Sequence, residues 1–328
     1  LVGSEMCIRD SGRIGVVVYD VKSAMEHYTK VYGITDWSVE TIEENNAVSY
    51  GRKGIKASWT SAIGSTSNIT FELVQPLSGE SPFMEHLRTK REGICFLRVI
   101  TDPTRPSYVK RCYVGGGRSF YDTREYLGGF LLEMSTDMDE RPEAVEGILP
   151  TQGIYHFGVL VHDVLKALPF YRDIFGIERF ECKTWETGFG RLDDSMYRGE
   201  KVDHGYFTAQ GHCADFGFEI IQCNHGPSHY NREFFDIRGP GIHHIFPWMV
   251  ATQDYSTPVE AEAAWTRVIE LMSDEGMSLC MGSPLRGGAA EFGYFDTFDN
   301  LGGYLIEGVI RREAPAEEFA SPDWVIEY

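Results

Sequence analysis

The chain has 328 residues, of which 42% are hydrophobic and 13% aromatic, enough to build the cores of two domains of ordinary size. Acidic residues outnumber basic residues by 49 to 30, and the resulting net charge of −19 argues against nucleic acid or a membrane surface as a partner. A small-molecule substrate is the better expectation, and association into a homodimer stays open.

The cysteines and the opening residues indicate in which cellular compartment the protein is expected. Seven cysteines are scattered along the chain without a C-x-x-C pair, which is typical of reduced thiols in a cytoplasmic protein. No apolar run approaches the roughly 20 residues needed to cross a bilayer, and the opening residues do not have the pattern of a secretory leader. Residues 1–11 lack periodicity, and we expect them to be a non-native or disordered start.

An internal repeat organises the rest of the chain. Residues 14–34 and 157–177 both show an apolar strand, an aspartate at a helix N-cap, an amphipathic helix and a glycine stop. Later segments match in the same order: 71–75 with 218–222, 92–97 with 240–245, and 121–133 with 295–307. The growing spacing between matched positions indicates a duplication with insertions in the second copy.

The repeat predicts the domain boundaries. We expect an N-terminal domain at residues 12–150, a C-terminal domain at 151–312, and a tail at 313–328 that is an extended strap or a disordered end. The largest insertion contains a predicted helix at 259–272, longer than its expected counterpart near 107–113.

Ionisable residues interrupt four apolar strands of the second half. They are His156, Glu219, Glu307 and one residue of the pair His243 and His244. Such residues are costly to bury unless they are paired or bound to a metal, and together they form an N/O ligand set for one divalent ion. Successive residues of a strand face opposite sides, so only one histidine of the pair can serve this site. Four other histidines are expected at the surface: His204, His212, His225 and His229.

These motifs, in this order, resemble the vicinal oxygen chelate superfamily, which includes glyoxalase I, methylmalonyl-CoA epimerase, bleomycin-resistance proteins and extradiol dioxygenases. The resemblance covers residues 12 to about 309 and is closest to the methylmalonyl-CoA epimerase-like proteins. It implies an α+β fold in which four βαβββ modules form two cup-shaped mixed β-sheets with flanking helices. The metal-ligand positions of the family fall on His156, Glu219, His244 and Glu307, so that His243 points away.

The matching positions of the first half imply that its metal site is degenerate. They are Arg13, Glu72, Phe96 and Glu133, and a guanidinium cannot ligate a metal. Two arrangements stay open. Arg13 lies between the two glutamates in a salt-bridged core, or it reaches solvent while the glutamates line a polar cleft.

The resemblance also implies a reaction. One divalent ion (Co, Ni, Mn, Zn, Mg or Fe) polarises a carbonyl or enolate oxygen, and Glu219 or Glu307 moves a proton as the catalytic carboxylate. We therefore predict an isomerase, epimerase or lyase acting on a small carbonyl compound, for which an acyl-CoA is one candidate.

Two alternatives remain. The first is an extradiol-type ring-cleaving dioxygenase in which His156, His244 and Glu307 hold Fe(II). Glu219 would then be a surplus ligand, and residues 295–297 read Phe-Asp-Thr where ring-cleaving members carry an active-site tyrosine. The second is a non-catalytic small-molecule binding or resistance protein, which would have no need of the complete ligand set.

Overall fold

The computed structural model describes residues 10–66, 69–100, 106–135, 147–188, 191–213, 216–314 and 321–328, so residues 1–9 of the expected disordered start lie outside it. The strands of the first half are β1 Asp10–Val17, β2 Trp37–Ser49, β3 Arg52–Thr66, β4 Ile69–Gly79, β5 Gly93–Ile100, β6 Lys110–Gly115, β7 Arg118–Asp122 and β8 Leu131–Ser135. Those of the second half are β9 Ile154–Leu160, β10 Arg179–Glu186, β11 Met196–Tyr197, β12 Glu200–Lys201, β13 Gly205–His212, β14 Gly217–His225, β15 Gly241–Pro247, β16 Leu279–Leu285, β17 Ala290–Phe295, β18 Leu305–Arg311 and β19 Trp324–Glu327.

The helices flank these strands. They are α1 Val21–Tyr32, α2 Pro82–Lys90, α3 Arg124–Leu127, α4 Val164–Phe175, a π-helical turn Tyr230–Phe235, α5 Asp236–Arg238, α6 Val250–Gln253 and α7 Pro258–Asp274. Within the described ranges, no helix has the length and apolar character needed to span a membrane.

The two halves form two curved mixed sheets. In the first half, β1 pairs in parallel with β4 and antiparallel with β5, which closes a barrel of order β1-β4-β3-β2-β6-β7-β8-β5. The second half is an eleven-stranded sheet of order β12-β11-β16-β17-β18-β15-β9-β14-β13-β10-β19. The predicted α+β fold with cup-shaped mixed sheets and flanking helices is confirmed.

Matching caps explain why the first helix of each half forms. The side chain of Asp20 accepts hydrogen bonds from the backbone N–H groups of Lys22 and Ser23, and Asp163 accepts one from that of Lys166. Gly33 and Gly176 end the two helices with positive φ angles of 71°, a conformation that residues with a Cβ rarely adopt. The predicted sequence of strand, cap, helix and glycine stop is therefore confirmed in both copies.

The predicted helix near 107–113 is wrong. Residues 107 and 108 form a turn, and β6 starts at Lys110, because this segment pairs with β7 instead of crossing the sheet. Its second-half counterpart, α7, forms as expected and buries Ala261, Trp265, Val268 and Met272 against the sheet.

The two halves pack against each other through equivalent contacts. The Tyr28 hydroxyl of α1 donates to the carbonyl of Leu301 at 2.9 Å, and the Tyr171 hydroxyl of α4 donates to the carbonyl of Leu127 at 2.6 Å. One continuous apolar cluster includes residues of both halves. The repeat seen in the sequence thus appears as a two-fold-like packing of its two copies.

Candidate metal centre

Four adjacent strands carry the predicted ligands. In the sheet order β18-β15-β9-β14, these strands supply Glu307, His244, His156 and Glu219 respectively. All four residues are buried, and one nitrogen or oxygen atom from each lies within 4.8 Å of those of the others. The structure therefore brings together all four residues that the resemblance selected.

The distances within the group distinguish Glu219 from the other three residues. The Nε2 atom of His156 lies 3.3 Å from the Nε2 of His244 and 3.0 Å from the Oε2 of Glu307. The Nε2 of His244 lies 3.3 Å from the same Oε2 atom, so the three atoms form a compact triangle. Neighbouring ligands of an ion held at about 2.1 Å are about 3 Å apart, so this triangle fits one face of a coordination shell. The Oε2 atom of Glu219 lies farther out, at 3.5 Å from His244 and 3.7 Å from His156.

Glu219 is held from outside this group. Its other carboxylate oxygen, Oε1, accepts a hydrogen bond of 3.1 Å from the Nε2 atom of Gln210, which lies opposite it on β13. The Oε2 atom is the one that faces the two imidazoles.

The charges of the group fit a cation. Among the described residues, neither Glu219 nor Glu307 forms an ion pair with a lysine or an arginine. Burial by itself lowers the pKa of His244, but hydrogen bonds to the two carboxylates outweigh it and raise that pKa to about 9. Burial raises the pKa of Glu307, yet the two imidazoles bring it down to about 2. The two buried carboxylates thus attract positive charge, which a divalent ion would supply.

Three buried histidines form a hydrogen-bonded chain behind the group. His243 lies outside the ligand group, and its Nδ1 atom is 3.1 Å from the Nδ1 of His244. Its Nε2 atom is 2.9 Å from the Nδ1 of His229. The expected surface position of His229 is wrong, as is that of His204, because both side chains are buried. The sequence signal for His229 was weak, since loop-rich sequence surrounds it and the π-helical turn that buries it has no recognised pattern.

Three members of the group, His156, Glu219 and Glu307, line a cavity of about 310 Å³ that also has several aromatic side chains in its walls. Its aromatic lining residues are Tyr155, Trp185, Tyr206, Phe246, Phe292 and Tyr294. Tyr294, which directly precedes the Phe-Asp-Thr segment, was not among the predicted site residues. Its ring centroid lies 4.9 Å from that of His244, and its hydroxyl is 2.5 Å from that of Tyr230. A tyrosine therefore does lie beside the ligand group, which removes one of the two arguments against a dioxygenase.

An arginine fills the equivalent place in the first half. Arg118 binds both carboxylates, with hydrogen bonds of 2.7 and 2.9 Å to Glu72 and of 2.8 and 2.6 Å to Glu133. Arg13 adds a contact of 3.0 Å to Glu72, and its side chain is buried. The salt-bridged arrangement is therefore the one observed, but the cation between the two glutamates is Arg118. The sequence offered one signal for this role of Arg118, because the repeat aligns this charged residue with an apolar residue of the second half, Phe292.

The comparisons with known proteins bear on the fold. No family model matches the chain, and no curated protein matches it. Among solved structures, a triple mutant of 4-hydroxymandelate synthase from Streptomyces coelicolor is similar, with a TM-score of 0.54 and 11% identity over 94% of each chain. This chain has the vicinal oxygen chelate fold. A fusion protein of a xylose isomerase-like TIM barrel and 4-hydroxyphenylpyruvate dioxygenase matches 95% of this chain and 50% of its own, with a TM-score of 0.47 and 12% identity. At such identities the likeness concerns the fold alone, and the closeness to methylmalonyl-CoA epimerase stays a prediction.

Proposed function

We propose that this protein is a divalent-metal enzyme that isomerises or cleaves a small carbonyl compound by moving a proton next to the carbonyl group. One observation carries the proposal. Two imidazoles and two carboxylates from four adjacent strands converge beside a cavity partly lined by aromatic side chains, with no lysine or arginine paired to either carboxylate in the described residues. A buried group of this composition suits one divalent ion.

The distances support separate roles for the two carboxylates. We assign His156, His244 and Glu307, which form the compact triangle, as metal ligands. Glu219 stands farther out, and Gln210 holds only its Oε1 atom. We therefore assign the Oε2 atom of Glu219 as the base that takes a proton from the carbon beside the carbonyl and returns it. Glu219 would also complete the ligand set of the ion in the absence of substrate.

The rest of the site supports this chemistry. A bound divalent ion supplies Lewis-acid polarisation of a substrate oxygen, which makes the neighbouring C–H group more acidic. The aromatic side chains of the cavity, Tyr206, Phe246 and Tyr294 among them, lower the local polarity and so strengthen the electrostatic interactions of the proton transfer.

A ring-cleaving or other dioxygenase is the second candidate. The compact triangle of His156, His244 and Glu307 is the ligand set of non-haem Fe(II) oxygenases, and it leaves open positions if Glu219 does not bind the ion. Tyr294 beside His244 is compatible with this candidate.

The two candidates differ in their need for oxygen and in their dependence on Glu219. The protein is loaded anaerobically with Zn(II), Co(II), Ni(II) or Fe(II), and deuterium uptake from solvent into small α-carbonyl compounds is followed by NMR. We expect exchange without oxygen and with a redox-inert ion. In Glu219→Gln we expect exchange to fall about 100-fold or more while metal stays bound. Strict dependence on Fe(II) and oxygen, with turnover surviving in Glu219→Gln, would establish the dioxygenase instead.

A further inference from the structure

The cavity is built in rows that run outward from the metal centre. Glu307, Val309 and Arg311 are alternate residues of β18, and all three line the cavity. Their neighbours on β17 are Tyr294, Phe292 and Ala290, in the same order. The innermost row therefore holds a predicted ligand, the middle row is apolar, and the outer row ends at the guanidinium of Arg311.

Two more cations, Lys183 and Arg286, line the same cavity. Lys183 comes from β10, where its Nζ atom is 5.4 Å from the ring centroid of Trp185, and Arg286 comes from the turn between β16 and β17. The described lining of the cavity also contains one exposed carboxylate, Glu313. The cavity of this acidic protein thus has buried carboxylates at the candidate metal centre and partly exposed cations elsewhere in its lining, which favours a ligand with a negatively charged end.

Arg311 differs from its neighbour Arg312 in having no partner among the residues that the structure describes. The guanidinium of Arg312, the residue that follows β18, binds Glu262 at 2.6 Å and Glu291 at 2.9 Å. The side chain of Arg311 forms neither an ion pair nor a hydrogen bond with any described residue, although it is half-buried. A guanidinium placed in a cavity with its donors unused is suited to bind an anionic group of a ligand.

We infer that Arg311, assisted by Lys183 and Arg286, forms an anion subsite at the mouth of the cavity, and that the substrate is a carbonyl compound with a carboxylate or phosphate at its far end. This inference rests on the proposed function, because the carbonyl end of the same molecule lies at the metal centre. Arg311 is four residue steps beyond Glu307, about 13 Å along β18. The apolar middle row of Phe292 and Val309 contacts the segment that joins the two ends.

Matched chelating ligands test the subsite without knowledge of the substrate. Suberic acid monohydroxamate carries a chelating hydroxamate and a carboxylate on an eight-carbon chain, octanohydroxamate replaces the carboxylate end with a methyl group, and a third ligand of the same length ends in a phosphate. Their dissociation constants are measured on the metal-loaded protein and on its Arg311→Gln and Arg312→Gln variants.

We expect the wild-type protein to bind the anionic ligands about tenfold or more tightly than octanohydroxamate, as one charge-assisted hydrogen-bonded contact would give. Arg311→Gln should bring this ratio close to one without changing the affinity for octanohydroxamate, and Arg312→Gln should keep the ratio. The anionic ligand with the larger gain identifies the group that the subsite accepts.

The outcomes separate the subsite from the proposed function. Equal, metal-dependent binding of all three ligands, or a ratio unchanged in Arg311→Gln, would overturn the subsite alone. If none of the ligands binds in a metal-dependent manner, the metal centre itself is wrong and the subsite fails with it.

Discussion

The imidazole ring of His244 lies directly against the backbone of Gly158 in the neighbouring strand. A Cβ atom at position 158 would be 1.9 Å from the Cε1 atom of His244, a separation that real structures do not allow. Gly158→Ala must therefore push the imidazole away from His156 and Glu307. We expect the variant to lose its metal, as measured by elemental analysis after gel filtration.

The first half supplies a matched control. A Cβ atom on Gly15 would be 1.9 Å from the ring of Phe96, which occupies the repeat position of His244. Gly15→Ala should lower the free energy of unfolding by about 1–3 kcal/mol through overpacking, yet it should retain the metal. Full metal content in Gly158→Ala would contradict the assigned position of His244.

His243 should tune the metal affinity without supplying a ligand. Its Nδ1 atom contacts the Nδ1 of His244, and His229 anchors its other nitrogen. Removing such an outer partner weakens metal binding by about 10–100-fold, so His243→Ala should bind one ion less tightly, whereas His244→Ala should not retain it. Competition with a fluorescent chelator measures both affinities. Equal losses in the two variants would mean that the assignment of the ligand histidine is wrong.

The chain should bind one divalent ion. Arg118 already supplies the positive charge between Glu72 and Glu133, and neither imidazole of the second half has a counterpart there. Elemental analysis of the protein after loading with excess Zn(II) or Co(II) and desalting should give one ion per chain. Two tightly held ions, the second of them not bound by the group of His229, Cys280 and Asp296, would disprove the loss of the first-half site.

Loss of Arg118 should be costly for stability. The glutamates that it binds are buried, and Arg118→Met would leave Glu133 without this cation and Glu72 with fewer partners. Breaking a buried ion pair costs about 3–5 kcal/mol, which urea unfolding at neutral pH should detect. In Arg52→Met, which breaks an exposed pair with Glu80, the cost should be about 0–1 kcal/mol.

The cost of losing Arg118 should depend on pH. Burial raises the pKa of Glu72, but Arg118 and Arg13 outweigh this effect and lower that pKa below its ordinary value. The stabilisation is therefore present above the pKa of the unfolded carboxyl group, about 4.3, and is lost as the pH falls through the lower pKa of the folded state. A cost that stays constant into acid would show that packing, and not charge, explains the loss.

Metal binding should strengthen as the pH rises. In the metal-free protein, hydrogen bonds to Glu219 and Glu307 overcome the effect of burial and raise the pKa of His244 to about 9. The bound proton stabilises the metal-free fold fully below about pH 6.5, and this contribution is lost as the pH rises through about 9. Because the ion must displace that proton, its apparent affinity should rise up to about tenfold per pH unit over the same range. An affinity that does not change with pH would contradict a protonated His244 in the metal-free site.

Local sequence patterns were enough to predict the helix caps, the buried strands and the candidate metal ligands. The caps at Asp20 and Asp163 and the glycine stops at Gly33 and Gly176 depend on contacts within a few residues, so they are readable from the sequence. The strands are apolar because they are buried, and ionisable residues inside them therefore stand out. The same contrast marked His156, Glu219, His244 and Glu307 as one group. The repeat alignment showed that the first half has no imidazole at the two histidine positions.

Only the tertiary structure showed which distant residues contact the ligand histidine side and the first-half glutamates. Arg118 is 46 positions from Glu72 in the chain, and His229 is 14 positions from His243, so neither contact leaves a periodic signal. The guanidinium of Arg311, which has no partner in the described part of the chain, is likewise recognisable only once the ion pairs of Arg312 are known. Sequence patterns record the environment of each residue, buried or exposed, whereas the partner of a charged side chain is set by how distant strands are brought together.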